Sequence, residues 1–138
     1  EELVRSLFVM LPGRPVARGA SWVDTLRVRE TADQVTTTAT RVVTTTWAGD
    51  SAVGGRTLRV LRSRSTHELE VAGSAQGMEV RQRLSGTGSG TALWDAERGV
   101  LVEQVSEAEL RGSLDVPAAG MTELPITARS RARVALRR

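Results

Sequence analysis

The chain predicts an all-β fold, an antiparallel meander of six to eight strands rolled into a curved sheet or incomplete barrel, with a short N-terminal helix or extended lead-in. Three observations predict it. Apolar and polar residues alternate with period two through most of the chain, β-branched residues crowd Gln34–Ala48, and turn residues recur at short intervals. All 138 residues are read as one β domain, with residues 1–21 as a lead-in that either covers the sheet or projects from it.

Each element follows from its local pattern. Leu3, Leu7 and Met10 stand at helical spacing behind two acids, which a helix N-terminus favours. Pro12, Gly13 and Pro15 then forbid regular structure. From Trp22 to Thr31, Asp24, Leu26, Val28 and Glu30 share one side and Val23, Thr25, Arg27 and Arg29 the other. In Gln34–Ala48 one face carries Val35, Thr37, Ala39, Arg41, Val43, Thr45 and Trp47, and the opposite face is almost all threonine.

Gly49–Gly55 reads as a turn. In Arg56–Val71, Leu58 and Val60 take one parity while Leu61, Leu69 and Val71 take the other, which predicts a β-bulge near Val60–Leu61. A turn at Ala72–Gly77 precedes Met78–Leu84, with Arg81 and Arg83 facing out. The glycine-rich Gly86–Gly90 reads as a turn or flexible connection into a short strand with Leu93 and Trp94, reversed by Asp95–Gly99 into a hairpin. Val102–Leu110 places Glu103, Glu107 and Glu109 on one face. After a looser Gly112–Pro125, the strand Ile126–Leu136 sets Arg129, Arg131 and Arg133 opposite Ala128, Ala132 and Val134. Antiparallel neighbours would turn these charges into cross-strand ladders, whose main effect is to oppose a one-residue slip.

Composition excludes several function classes. The chain has no Cys, Lys, Tyr or Asn, and arginine supplies all 19 basic side chains. Its isoelectric point of about 11.1 overstates its basicity, because no side chain titrates between histidine and arginine. The net charge is only +3. Hydrophobic content of 40% without a bilayer-length apolar run points to a soluble globular domain. The start at Glu1 without Met is read as a processed or trimmed N-terminus that has lost any signal peptide or lipid anchor.

Two segments carry a resemblance. Leu11–Trp22, L-P-G-R-P-V-A-R-G-A-S-W, resembles the LP-x-x-PV-x-x-G-x-x-W opening of uncharacterised bacterial secreted or lipoprotein-type β-domains. Gly90–Leu101 is similar to their Gly-rich strand followed by F-D-x-x-x-G-x-L, with Trp94 at the aromatic position and Ala20 where Asp is frequent. The resemblance implies an extracytoplasmic, periplasmic β-fold and no catalytic residue.

No catalytic constellation emerges. With one His and no Cys, the usual zinc ligand sets, cysteine nucleophiles and Schiff-base lysines are excluded. His67 is the only histidine a serine triad could recruit, and Gly86–Gly90 matches neither a phosphate loop nor a nucleophile elbow. The expectation is a non-enzyme with no cofactor and no metal. Arginines cluster at Arg59, Arg62 and Arg64 and again towards Arg137, yet 3% aromatic content leaves little to stack on bases, which disfavours nucleic acid.

The chain is therefore expected to be a structural or interaction domain, an accessory subunit docked on other protein subunits of an envelope or membrane complex, an energy-transducing one included. Peripheral membrane contact through the terminal arginines fits the same reading. The alternative is a carrier that wraps a lipid or other apolar ligand in its curved sheet. Candidate interaction residues are Leu3, Leu7, Phe8, Met10, Trp22, Trp47, Arg129, Arg131, Arg133 and Arg137.

Overall fold

Alternating polarity and β-branched runs carry the chain through six strands in the computed structural model, which describes residues 11–136. They are β1 (Ser21–Ala32), β2 (Val35–Val53), β3 (Arg56–Ala75), β4 (Met78–Asp95), β5 (Val100–Val116) and β6 (Met121–Ala135). Each pairs antiparallel with the next, so the fold is the expected meander, with six strands in one open sheet. A single turn of 3-10 helix, Pro117–Ala119, is the only helical element among the described residues.

The strands are longer than local pattern predicts, because the turns are tighter. The chain reverses at Asp33–Gln34, Gly54–Gly55 and Gln76–Gly77, and all six of these residues have positive φ. A type I′ turn needs that at both central positions, since its twist then matches the flanking strands. Between β4 and β5 the turn lies where the sequence predicts it. Asp95 Oδ1 accepts from the backbone N–H groups of Glu97 and Arg98, both at 3.1 Å, and Gly99 N–H donates to the Asp95 carbonyl at 2.8 Å.

Three expectations are corrected. Gly86–Gly90 is neither a turn nor a connection but the middle of β4, where glycine alternates with Thr87 and Ser89 and period two is kept. The bulge expected at Val60–Leu61 lies instead in β2, where the β2–β3 register skips Ala48, and a second skip falls at Val102 where β5 pairs with β4; β3 itself keeps strict alternation. Leu58 and Leu61 consequently face opposite sides of the sheet, and both are buried, at 2% and 4% exposure. Much of the looser Gly112–Pro125 is strand, with β5 running to Val116 before the 3-10 turn.

Register places two unlike surfaces back to back. We call the side of Leu61, Leu69 and Leu84 the inner face and the side of Arg62, Arg64 and Thr87 the outer face. Gly73, Gly86 and Gly112 all belong to the inner face, and a Cβ on each would stand 2.1, 1.8 and 1.7 Å from a neighbouring backbone oxygen, that of Gln34 in the β1–β2 turn, Glu109 in β5 and Arg83 in β4. Adjacent strands therefore fold towards the inner face at these points, and only glycine permits the approach. This is the physical origin of the curvature.

The core sits at one end of the inner face. Trp22 from β1, Leu61 from β3 and Ala92 from β4 form it, packed against Val16, Trp47, Trp94 and Leu101. A short turn docks the lead-in there: Ala20 N–H bonds the Ala17 carbonyl at 3.0 Å, and Gly19 N–H bonds the Trp47 carbonyl at 2.8 Å. Glycine at position 19, with φ of 85°, lets this turn close.

Candidate binding surfaces

The inner face changes character along the strands. Beyond the tryptophan core, a band of small and polar residues crosses the sheet: one row runs Trp22, Thr45, Ser63, Gly90, Ser106, Ala132, and the next Asp24, Val43, Ser65, Gly88, Ala108, Ser130. Farther on, Leu69 pairs with Leu84, and only Leu84 of that pair is fully buried. Six of these twelve positions are polar.

Two oxygens in this band are buried without a hydrogen-bond partner among the described residues, Thr45 Oγ1 and Asp24 Oδ2. Leaving such an atom unsatisfied costs about 1–3 kcal/mol. Next to them His67 Nε2 lies 2.8 Å from Ser65 Oγ. Partial burial, aided by the Arg41 guanidinium on the facing strand, pushes the His67 pKa below its ordinary value, and burial likewise lowers that of Arg41. Ser65 and His67 stand on one strand, and Asp24 lies two strands away from Ser65 in register, so the three do not assemble a relay.

The outer face is mostly hydroxyl and charge, with Leu58 buried on it near the β2–β3 turn. Facing β3 and β1, β2 presents Thr36, Thr38, Thr40, Thr44 and Thr46, with Thr31 and Thr36 linked at 2.9 Å and Ser21 and Thr46 at 2.6 Å. The acidic row of β5 meets the arginine row of β6 as the sequence predicts: Arg129 pairs with Glu109 and Arg133 with Glu103, both at 2.8 Å. Hydrogen bonding by Arg111, then its charge and that of Arg129, holds the Glu109 carboxyl below its usual range. Arg131 stands opposite Glu107, yet among the described residues it makes no ion pair.

The sequence-predicted residues fall in different places. Trp22 is buried in the core at 7% exposure and presents no surface. Trp47 is half-buried, its indole N–H shared between the Gly49 carbonyl and Asp50 Oδ1, both at 3.1 Å. Arg59, which local sequence groups with Arg62 and Arg64, instead crosses the Trp47 ring 4.1 Å from its centroid. Bonding from Trp47 and then Arg18 lowers the Asp50 pKa. Arg129, Arg131 and Arg133 are exposed on the outer face. Leu3, Leu7, Phe8, Met10 and Arg137 lie outside the described residues.

Local pattern missed the burial of Thr45 and of Asp24 Oδ2, because neither burial nor lost partners register in a single strand. Among the described residues no group of three or more His, Asp or Glu could hold a metal ion, and no helix is long and apolar enough to cross a membrane. Grooves of about 740, 550 and 540 Å³ all lie on the polar outer face. The chain matches no family model, no curated protein and no solved structure, so its own geometry carries the functional reading.

Proposed function

We propose that this chain is a non-catalytic interaction domain that works by docking other protein subunits against its sheet, as an accessory subunit of an envelope or membrane complex outside the cytoplasm. One observation carries the reading. Among the described residues a single sheet is the only layer, its fully buried apolar residues number six, and its first and last strands are left open. A β-domain ordinarily buries its sheet against a second layer. Here the half-buried inner face and the unpaired backbone groups of β1 and β6 are the surfaces a partner completes.

The alternative is a carrier that holds a lipid or other apolar ligand against its sheet. The extracytoplasmic setting rests on the two motif segments at Leu11–Trp22 and Gly90–Leu101.

Native mass spectrometry of the protein purified gently from its source membranes tests both readings. Stoichiometric co-migration with other polypeptides is the expected result. A lone 14.9 kDa species carrying the extra mass of one bound lipid would replace the docking reading with the carrier.

A further inference from the structure

We propose that the outer face holds a binding groove for a linear polyanionic glycan, with Arg62, Arg64 and Arg131 as its anion-binding side chains. The groove measures about 740 Å³ and lies open across β2 to β6. Arg62 and Arg64 occupy alternate positions on β3, about 7 Å apart along the strand. Arg64, Ser89, Glu107 and Arg131 form one register row, which sets Arg64 and Arg131 about 14 Å apart, three strand spacings. A single small anion cannot bridge that distance, whereas an extended polymer can.

Unpaired charge gathered in one groove singles these arginines out. Arg83, Arg111, Arg129 and Arg133 on the same face each have a glutamate partner. Among the described residues, Arg62, Arg64 and Arg131 make no ion pair, although all three line one groove. Guanidinium groups left in this way offer bidentate donors to sulfate or carboxylate groups. Between them, Thr44, Ser89 and Thr91 supply hydroxyls that suit sugar hydroxyl groups.

No aromatic residue lines the groove. Base stacking, which single-stranded nucleic acid binding relies on, therefore has no platform there. Glu107, the one acid in the lining, opposes a polyanion and tunes its affinity. This site occupies the face opposite to the one proposed to dock a protein partner, so each reading stands or falls by itself.

The test titrates the purified chain with a heparin-derived oligosaccharide at about 0.15 M salt, with neutral dextran as control. Wild type is expected to bind the sulfated chain and not dextran. Arg62→Gln/Arg64→Gln/Arg131→Gln raises Kd at least about tenfold. Arg27→Gln/Arg29→Gln/Arg81→Gln removes the same charge from exposed outer-face positions outside the groove, and raises Kd less than about threefold. Glu107→Gln tightens binding about two- to fivefold, a gain that a folding defect cannot produce.

Three results would overturn the proposal: no binding by wild type, equal losses in the two triple variants, or weaker binding by Glu107→Gln. Tighter binding of a single-stranded oligonucleotide of equal charge would assign the groove to nucleic acid and overturn it as well.

Discussion

The two sides of β4 solve opposite problems with the same six-residue stretch, Gly86–Thr91. Inward, Gly86, Gly88 and Gly90 leave no room: a Cβ on Gly86 would lie 1.8 Å from the Glu109 carbonyl oxygen, and one on Gly88 2.6 Å from Ser65 Oγ. Outward, Thr87, Ser89 and Thr91 are exposed and line open grooves. The inner side is therefore intolerant of added atoms and the outer side tolerant of most changes. Curvature is set by what is missing on one face, and ligand access by what is spread across the other.

The largest effect that would sharpen this contrast is expected from Leu61→Ala. Removing a side chain that is 4% exposed from the small tryptophan core lowers stability by about 3–4 kcal/mol, read as a fall in the urea midpoint. Leu69→Ala, at a half-buried inner position, costs about 1 kcal/mol. Equal losses would mean that the core is not confined to one end.

Gly86→Ala comes next, at about 2–3 kcal/mol, since the neighbouring backbone must retreat. Thr87→Ala, one residue away on the outer face, changes stability by less than about 0.5 kcal/mol. Similar values for the two would break the comparison outright.

A third effect separates the faces by pH. The depressed pKa of His67 means that the unfolded chain takes up its proton first as pH falls below 6.5, the ordinary value. Stability from this inner-face group is full above that pH and is lost as pH falls through the lower, folded value. Thermal melts should show wild type losing more than His67→Gln between about pH 7 and pH 5. Parallel curves would contradict it. The outer-face carboxylate Glu109, also depressed, acts in a separate window below its usual value of 4.5.

The smallest effect belongs to the exposed ladder. Glu109→Gln breaks the pairs with Arg111 and Arg129 and lowers the melting temperature less than any of the core or glycine changes above. That loss should fade towards about 1 M salt, where screening shortens to a few ångström.

How much of this was legible depends on the range of the information. Which residues of a strand share a face followed from alternation alone, and it held for Val35 to Trp47 in β2, for Glu103, Glu107 and Glu109 in β5, and for the arginines of β6. Gly86–Gly90 was misread because glycine is a turn signal locally. Its reason for being there, the approach of the Glu109 carbonyl, lies 23 residues away in sequence. Register skips at Ala48 and Val102 were invisible for the same reason, since each exists only in the pairing of one strand with another.

Alternation, turn chemistry and charge rows thus settled the all-β meander, its strand order and the polarity of its faces, because each is a short-range property of backbone geometry. Tertiary structure alone decided the direction of curvature, the place of the core and the fate of each charge. Arg129 and Arg133 find glutamates while Arg131, placed opposite Glu107, does not. That outcome rests on how side chains of adjacent strands meet, which depends on register, twist and bulges accumulated across the whole sheet.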